Sequence, residues 1–481
     1  MTIEKLISEI LKYNPNEIEK VIKAYTFAEE NHRGQYRKSG KPYITHPLSV
    51  TYTLATMKAD ADTLVAGLLH DIVEDTNVTL DEVENLFNKD VRILVDGVTK
   101  ISNMNFNTKK EKNDLNTRKI INGLSEDVRI IIIKLADRLH NMNTLEYQKP
   151  EKQKEISLET MEIYVPLAYH LGAYKIKKEL EDLSFYYLNN KKYNEISEAM
   201  KKMEPTNNII IEQMSKDIKL KLNDNGITAS IVPRIKHLYG IYTRLKNNNK
   251  LENIHDLIAL KIIEEEIRDC YYTLGIVHSM YPYINSKLKD YMSLPKTTMY
   301  RGIHTTVFGI DNKLVQLQMC TDEINRINTN GLTEYWDINK GQARDIMQKD
   351  LKEKFQFYQS VCDLNMLYPN NSEFVESVKN EIFNQHIYVY YEGKIIEMPI
   401  NSSVIDLLFK VEENNADDLD IVFINGNIAK YDQILNNNDR IVFNFKPFNS
   451  KLNFDWYNFA TTTYAKNKIL ENINVKMKKI R

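Results

Sequence analysis

The sequence predicts a multidomain protein in which an all-α region is followed by an α/β region and then by a small β-rich region. Apolar residues of the first region recur every three to four positions without strand-like alternation. From about residue 205 onward, short alternating segments and helices succeed one another, and the last region holds two turn signals between β-rich segments. We expect domains at 1–195, 196–345 and 386–446, a helical connector at 346–385, and a basic tail at 447–481.

Composition excludes several classes of protein. The chain has 481 residues, which suggests roughly three domains at about 100–200 residues each, and its formal net charge of -2 gives no global case for nucleic-acid binding. Cys270, Cys320 and Cys362 are too scattered for a disulfide framework or a cysteine zinc site, which fits a reducing cytosol. The N-terminus lacks a signal-peptide pattern and no apolar stretch approaches the ~18 residues that span a bilayer. We therefore expect a cytoplasmic protein without a membrane partner.

Three helices of the first region can be placed from their start signals and periodicity. Asn14 before Pro15 predicts a cap followed by a first helical residue. Asp62 is expected to cap a helix over residues 62–76, and a strongly apolar helix is expected over Val128–Leu145. These helices carry the polar residues that matter for chemistry.

The second and third regions are defined by strands. In the second, strands are expected at Leu257–Ile263, His304–Ile310 and Leu314–Met319, with a helix at Cys270–Met280. In the third, Glu392-Gly393 and Asn425-Gly426 are expected to form turns, and Ile441–Phe445 a last strand.

Histidines and carboxylates of the first region form a candidate metal site, at His46, His70-Asp71 and Asp137. Imidazole and carboxylate together suit a divalent first-row metal such as Mn²⁺ or Fe²⁺. In a continuous helix, Glu74 and Asp75 would follow the His-Asp pair by one turn and could orient or deprotonate a bound water. From residue types alone, an ordinary polar helix surface is an equal alternative.

Two further polar patterns have both a functional and a plain interpretation. Four residues of the Val128–Leu145 helix share one stripe, which is either a solvated face or the wall of a polar pocket: Lys134, Asp137, Asn141 and Thr144. A basic cluster precedes His46 and suits phosphate groups, although surface loops are often basic without that role: Arg33, Arg37, Lys38 and Lys41.

Three long segments carry a resemblance to a known family. Residues His32–Pro47 resemble the opening motif of the RelA/SpoT homologue family, Leu68–Thr76 its HD signature, and Lys134–Met142 its third motif. The resemblance implies an HD-type hydrolase domain that removes the 3′-pyrophosphate of ppGpp or pppGpp, leaving GDP or GTP. It implies Mn²⁺ held by His46, His70, Asp71 and Asp137, and an attacking water positioned by Glu74 and Asp75. The nucleotide contacts that it implies are Arg37, Lys38, Ser39, Lys134, Asn141 and Thr144.

The second region resembles the nucleotidyltransferase-like synthetase of that family, which transfers pyrophosphate from ATP to GDP or GTP. The resemblance implies Asp256 as a ligand of Mg²⁺ and Tyr300 as a stacking partner of guanine. The other matching residues are Arg234, Lys236, Lys289, Lys296 and His304. Where the family strand reads Glu-x-Gln-x-Arg, this chain has Gln316 and ends in Cys320. A neutral amide cannot serve as a base and is a poorer ligand for a hard cation, so we expect synthesis to be lost or impaired.

The third region resembles the TGS domain of the family. The histidine by which that domain contacts tRNA corresponds to Glu412 here, so we do not expect ribosome or tRNA binding. Three alternatives stay open: a bifunctional enzyme that also uses ATP with Mg²⁺, a hydrolase of another 3′-phosphorylated nucleotide, and a nucleotide-binding regulator without turnover. Whether the chain forms a homo-oligomer is not indicated by the sequence.

Overall fold

The computed structural model forms two compact units, one from residues 1–105 and 119–356 and the other from residues 106–118 and 357–481. The residues that the structure describes are 1–99, 114–115, 117–118, 121–123, 127–246, 251, 254, 256–293, 300–331, 364–365, 368–383, 386–446 and 455–480. Lys296, Cys362 and most of the expected connector lie outside them.

The first part of unit one is helical, as predicted. Its helices are α1 (Ile3–Ile10), α2 (Ile18–Asn31), α3 (Thr45–Thr56), α4 (Ala61–Leu69), α5 (Ile72–Asp75), α6 (Leu80–Leu86), α7 (Lys89–Thr99), α8 (Val128–Asn143), α9 (Pro150–Glu159), α10 (Val165–His170), α11 (Tyr174–Leu188) and α12 (Asn190–Asp224). Short 3₁₀ or π turns lie at Pro15–Glu17, Leu145–Tyr147 and Thr160–Tyr164. The 35-residue α12 runs across the expected boundary at residue 195.

The predicted helix over residues 62–76 is wrong in its start and in its continuity. The cap is Asp60, whose side chain accepts a hydrogen bond of 2.7 Å from the amide of Thr63. Asp62 instead pairs with Lys20. The helix stops at Leu69, and α5 begins after Asp71.

The predicted cap at Asn14 is also wrong. Its side chain makes no capping hydrogen bond, and Pro15–Glu17 forms a 3₁₀ turn before α2 begins. Asp127, by contrast, caps the apolar helix α8 by accepting from the amide of Arg129.

The second part of unit one contains a five-stranded sheet in the order β1-β2-β5-β4-β3. Its strands are β1 (Ala229–Ile235), β2 (Ile258–Glu264), β3 (Lys289–Asp290), β4 (Ile303–Phe308) and β5 (Leu314–Thr321), and its helices are α13 (Leu238–Leu245), α14 (Ile267–Met280) and α15 (Asp322–Asn330). Only β2 and β5 pair in parallel. One face buries Leu260, Val315 and Leu317 against α12 and α14, because alternate residues of a strand point to opposite faces. The other face carries Gln316 and Gln318.

Unit two is built around a second five-stranded sheet, in the order β7-β6-β10-β8-β9. Its elements are α16 (Asn371–Val378), β6 (His386–Tyr391), β7 (Lys394–Pro399), α17 (Val404–Val411), β8 (Leu419–Ile424), β9 (Asn427–Ala429), β10 (Arg440–Phe445), α18 (Trp456–Phe459) and α19 (Thr463–Ile480). The two predicted turns are confirmed, since Glu392-Gly393 and Asn425-Gly426 join antiparallel strands with positive φ at all four residues. Within the described part of the chain, none of the helices has the length and apolar character needed to cross a bilayer.

Candidate metal centre

Three helices of unit one bring the candidate ligands together. His46 lies in the first turn of α3, His70 directly after α4, and Asp137 in the middle of α8. Helices α4 and α8 both pack against α3, and each presents apolar residues to the shared core. Residues that are far apart in the sequence therefore meet at one polar point within a buried helical frame.

The ligand atoms of His46, His70 and Asp137 all lie within 4.8 Å of one another. Nε2 of His46 is 3.3 Å from Oδ1 of Asp137 and 3.4 Å from Oδ2 of Asp71. Oδ2 of Asp71 is also 3.1 Å from Nε2 of His70. The structure thus brings together all four residues that the sequence analysis proposed as ligands, with Asp71 at the edge of the tighter group of three.

The break between α4 and α5 gives the His70-Asp71 pair its orientation. Nδ1 of His70 lies 2.9 Å from the carbonyl oxygen of Gly67, so its proton is held by the last turn of α4. Nε2 is then left to face the carboxylates. The carbonyl of Asp71 accepts from the amides of Glu74 (3.1 Å) and Asp75 (2.9 Å), which starts α5. In a continuous helix, the side chains of His70 and Asp71 would point in other directions.

Two residues that the sequence analysis missed hold the candidate ligands in place. The hydroxyl of Tyr43 donates to Oδ2 of Asp71 at 2.7 Å. Nδ1 of His46 and Nδ1 of His140 are 2.7 Å apart. Both residues were inside recognised segments, but in a sequence nothing distinguishes a residue that orients a ligand from its neighbours.

The charges around the cluster favour ionised carboxylates. Burial opposes this for Asp71, but His70 and His46 outweigh it and hold the pKa of Asp71 well below its usual range. For Asp137, His46 and Lys134 likewise outweigh burial and lower the pKa. Burial, followed by repulsion from His46, lowers the pKa of His140 to about 3, so this imidazole is neutral and its Nδ1 can accept the proton of His46.

The cluster fits a divalent metal ion. His70 is fully buried, and its Nε2 faces the carboxylates of Asp71 and Asp137 at 3.1 and 4.0 Å, where a metal ion would bind all three residues. Two imidazole nitrogens and two carboxylates form a donor set that first-row divalent metals accept. His46, His70, Asp71 and Asp137 would hold the ion, and a bound ion would lower the pKa of a water molecule.

Some of the expected nucleotide-binding residues lie beside the candidate metal ligands, and others lie away from them. Asn141 links Arg37 to the candidate ligand Asp137, since its amide donates to Asp137 at 2.6 Å and its oxygen accepts from Arg37 at 2.8 Å. Nζ of the buried Lys134 lies 4.0 Å from Asp137. Lys38 reaches away to Gln148 at 2.7 Å.

The remaining expected residues are less informative. Thr144 donates to the carbonyl of His140 at 3.1 Å, so its hydroxyl is engaged at the end of α8. Ser39 lies half-buried in the turn before α3. Glu74 and Asp75 are the last two residues of α5, and Glu74 is half-buried whereas Asp75 is exposed.

The second expected site lies on the polar face of the first sheet. Gln316 accepts from Gln318 at 2.6 Å, so the two amides bind each other. The hydroxyl of Tyr300 lies 2.6 Å from Nε2 of His304. Arg234 lies on β1, where it pairs with Ala259 of β2, whereas Lys289 is exposed on the edge strand β3.

Among the described residues that the sequence analysis assigned to this second site, only Asp256 carries a carboxylate. The carboxylate of Asp256 forms ion pairs with Lys236 and, at 3.4 Å, with Arg244. Gln316 presents a neutral amide, whose oxygen accepts from Gln318 at 2.6 Å. Among the described residues, the only cluster of possible metal ligands is the one at His46, His70 and Asp137. Hard cations require several oxygen donors, and carboxylates foremost.

Two family models match the chain. A model described as HD domain matches residues 24–174, which contain the metal cluster. A model described as a region found in RelA / SpoT proteins matches residues 233–343, which contain most of the first sheet.

Curated proteins match nearly the whole chain. It is 35% identical over 453 residues to a Synechocystis protein named probable guanosine-3′,5′-bis(diphosphate) 3′-pyrophosphohydrolase, covering 93% of this chain and 60% of that protein. It is 37% identical over 412 residues to the bifunctional (p)ppGpp synthase/hydrolase SpoT of Escherichia coli K12, covering 85% and 58%. It is 34% identical over 477 residues to the Aquifex aeolicus guanosine-3′,5′-bis(diphosphate) 3′-pyrophosphohydrolase, covering 98% and 66%.

The chain thus spans roughly three-fifths of the length of these relatives, between 58% and 66%. The HD domain match is followed by the RelA/SpoT match in one polypeptide. The alignment with the Synechocystis relative covers 93% of this chain. The chain belongs to the RelA/SpoT homologue family.

Proposed function

We propose that the chain hydrolyses the 3′-pyrophosphate of ppGpp and pppGpp, releasing pyrophosphate and GDP or GTP. The observation that carries this proposal is the convergence of His46, His70 and Asp137 within 4.8 Å, with Asp71 beside them. The names of the curated relatives support the choice of substrate. Mn²⁺ is the proposed ion, because the family resemblance implies it and because the two imidazoles and two carboxylates of the cluster suit a divalent first-row metal.

The side chains around the cluster support a division of roles. Glu74 and Asp75 follow the ligand pair on α5 and would accept a proton from the attacking water or hold it in line. Arg37 is fixed by Asn141 at 2.8 Å beside the cluster, where its guanidinium would bind the leaving pyrophosphate. Lys134, Lys38, Ser39 and Thr144 complete the proposed nucleotide contacts.

The first sheet is proposed not to catalyse synthesis. Transfer of pyrophosphate from ATP needs a metal ion on the phosphates and a base for the acceptor hydroxyl. The pairing of Gln316 with Gln318, and of Asp256 with Lys236, supplies neither. On this proposal, the chain would differ from the relatives whose printed name includes a synthase activity.

The β-rich unit two is proposed to be a TGS-like module without tRNA binding. Glu412 accepts from Tyr391 at 2.8 Å and from Asn415 at 2.9 Å. A carboxylate at this position would repel the phosphates of a nucleic acid.

Two incubations of the purified protein test the proposal, each read by nucleotide chromatography. One contains ppGpp with Mn²⁺ and the other ATP and GDP with Mg²⁺. We expect GDP and pyrophosphate in the first and no ppGpp in the second. EDTA, His70→Ala and Asp137→Ala should each abolish hydrolysis, whereas Asp420→Ala removes an exposed carboxylate of unit two and should not.

The contrary outcomes are specific. Hydrolysis that survives both ligand substitutions would place the reaction elsewhere. ppGpp made in the second incubation would show a bifunctional enzyme. If Mn²⁺ binds but ppGpp is not cleaved, a panel of 3′-phosphorylated nucleotides would test the substrate.

A further inference from the structure

The short helix α5 is held at its C-terminal end by a side chain from a distant segment. Nε2 of Gln35 donates to the backbone carbonyl oxygen of Asp75 at 2.8 Å, across 40 positions of the sequence. Asp75 is the last residue of α5, and the carbonyl groups at the end of a helix have no partner within the helix. Gln35 therefore acts as a cap at the end of α5.

The orientation of the Gln35 amide follows from its two partners. The carbonyl oxygen of Asp75 can only accept a hydrogen bond, so the NH₂ group of Gln35 faces it and the amide oxygen faces the other way. That oxygen lies 2.7 Å from Nδ1 of His32. Because an amide oxygen also only accepts, Nδ1 of His32 is the donor. The half-buried side chain of Gln35 is thus fixed on both sides of its amide.

His32 anchors this bridge. It directly follows α2 and is 3% exposed, and its ring stacks on that of Tyr43 with the centroids 4.7 Å apart. Tyr43 in turn donates to the carboxylate of Asp71, whose carbonyl starts α5. The same histidine therefore supports α5 at both ends, through Tyr43 at the start and through Gln35 at the end.

The loop between α2 and α3 keeps its shape without the side chain of Gln35. Three backbone hydrogen bonds of 2.9–3.0 Å close this loop, from the amide of Tyr43 to Gln35, from Arg37 to Lys41 and from Gly40 to Arg37. None of these three bonds uses the Gln35 amide group. Loss of that group should therefore leave the loop and its Arg37 in place and release the end of α5.

The end of α5 is the part of the helix that most needs this support. The helix has four residues, Ile72–Asp75, and a single turn is marginal by itself because few hydrogen bonds offset the cost of nucleation. Of its four side chains only that of Ile72 is buried, so packing fixes the start of the helix more firmly than its end. Glu74 and Asp75, the proposed partners of the attacking water, lie at that end.

We propose that Gln35 is a positioning residue for hydrolysis, whose amide holds Glu74 and Asp75 in place beside the metal centre. This inference rests on the proposed hydrolase function. In the described part of the chain, the side-chain hydrogen bonds of Gln35 go to His32 and Asp75 and to none of the candidate metal ligands. Gln35 therefore acts on the water-activating carboxylates and not on the metal ion. It also ties them to the loop that carries Arg37.

Steady-state kinetics of the full chain with ppGpp and Mn²⁺ test the proposal. In Gln35→Ala we expect kcat to fall roughly 10–100-fold, because a misplacement of about 1 Å has an effect of this order. KM for ppGpp should stay within a few-fold of the wild type, since the loop keeps its shape. A fall in kcat without a change in KM marks a contribution made only in the transition state.

Two further variants make the kinetic test specific. At neutral pH, Gln35→Glu keeps the size of the side chain and an acceptor for His32 but offers no donor to the carbonyl of Asp75, so kcat should fall as in Gln35→Ala. Asn31→Ala is the matched control, because it also removes an amide that donates to a backbone carbonyl, that of Phe27 at 2.8 Å within α2. Its kcat should equal that of the wild type.

Two measurements besides turnover separate positioning from a general loss of structure. Affinity for Mn²⁺, measured by calorimetry, should stay within a few-fold of the wild type in Gln35→Ala. Hydrogen exchange of the metal-free protein, followed by mass spectrometry, should become faster in the peptide that contains α5, by roughly 2–10-fold for the loss of one hydrogen bond. Peptides from α8 should exchange as in the wild type.

The outcomes distinguish this inference from the proposed function. If the wild type does not cleave ppGpp, the proposed function fails and the inference fails with it. If the wild type cleaves ppGpp and either Gln35 variant keeps the wild-type kcat, only the inference fails. A rise in KM at unchanged kcat, a loss of Mn²⁺ affinity, or unchanged hydrogen exchange of α5 in Gln35→Ala would each overturn it as well.

Discussion

Tyr43 holds Asp71 in place: its hydroxyl donates to Oδ2 of Asp71 at 2.7 Å, while its ring stacks on His32 with centroids 4.7 Å apart. The same carboxylate oxygen faces Nε2 of both candidate histidines. Asp71 lies between α4 and α5, and although its carbonyl starts α5, its side chain makes no capping hydrogen bond to that helix. The hydrogen bond from Tyr43 therefore orients the carboxylate of Asp71, as hydrogen-bond partners of metal ligands commonly do.

We predict that Tyr43→Phe weakens metal binding while leaving the fold intact. The substitution keeps the ring and its stacking but removes one hydrogen bond to a charged group, worth about 1.5–3 kcal/mol. Affinity for Mn²⁺, measured by calorimetry, should fall on the order of 10–100-fold. Thermal denaturation of the metal-free protein should change little, and unchanged Mn²⁺ affinity would show that Asp71 is positioned by other contacts.

We predict a similar loss for His140→Ala. The Nδ1 atoms of His46 and the neutral His140 are 2.7 Å apart, and ligation of a metal ion through Nε2 of His46 requires His46 Nδ1 to donate and His140 to accept. Without that acceptor, His46 can turn or change tautomer, and Mn²⁺ affinity should again fall on the order of 10–100-fold. Asn143→Ala is the control on the same helix, since its side chain donates only to the carbonyl of Leu139 at 3.0 Å. Equal Mn²⁺ affinity in the two variants would contradict the assigned role.

We predict that a buried glutamate makes the first sheet less stable as pH rises. Glu264 ends β2 and is 2% exposed, and neither carboxylate oxygen has a hydrogen-bond partner among the described residues. Burial raises its pKa to about 7, with a smaller opposing effect of Cys270 and Thr273. The folded state therefore keeps a proton that the unfolded chain releases from its ordinary pKa of 4.5 upward. Stability falls from that pH to about pH 7 and is then constant, by a total of about 3 kcal/mol.

Glu264→Gln removes this dependence and provides the test. At pH 8 the variant should be more stable than the wild type by up to about 3 kcal/mol, and at pH 4 nearly equal, in chemical denaturation followed by circular dichroism. Glu265→Gln, which changes an exposed neighbour, should follow the wild type at both pH values. A stability difference that does not grow between pH 4 and pH 8 would mean that Glu264 is solvated or paired.

We predict that Asp406→Asn destabilises unit two by about 3 kcal/mol, because it breaks a buried network around a charged group. Asp406 is 1% exposed and accepts from the amide of Ser403 at 2.6 Å and from the hydroxyls of Thr461 and Thr462 at 2.7 and 2.8 Å. An amide would present a donor to these donors. Asp420→Asn, which changes an exposed side chain of β8 in the same unit, should stay within about 0.5 kcal/mol.

The fluorescence of Trp456 can report on this unit. It is 6% exposed and packs on Phe409 of α17, with ring centroids 6.1 Å apart. The chain has two tryptophans, so Trp336→Phe leaves Trp456 as the sole reporter. A midpoint of denaturation that is the same for Asp406→Asn and Asp420→Asn would show that the network contributes nothing to stability.

The sequence by itself determined the order of the regions, most helices and strands, and the identity of the candidate metal ligands. Periodicity is local, so alternation placed Val315, Leu317 and Met319 on the buried face of β5, as observed. The turns at Glu392-Gly393 and Asn425-Gly426 follow from residue types that tolerate positive φ. Residue types alone did not separate the candidate ligands from an ordinary polar helix surface, and the resemblance of three segments to the family motifs singled them out.

Only the tertiary structure decided how those residues face one another. The apolar pattern predicts a continuous helix through His70 and Asp71, yet the helix ends before them. The side chain of His70 binds the carbonyl of Gly67, and the carbonyl of Asp71 starts a new helix. Tyr43 and His140 act across 28 and 94 positions of the sequence. Contacts between distant segments depend on packing, which no local pattern encodes.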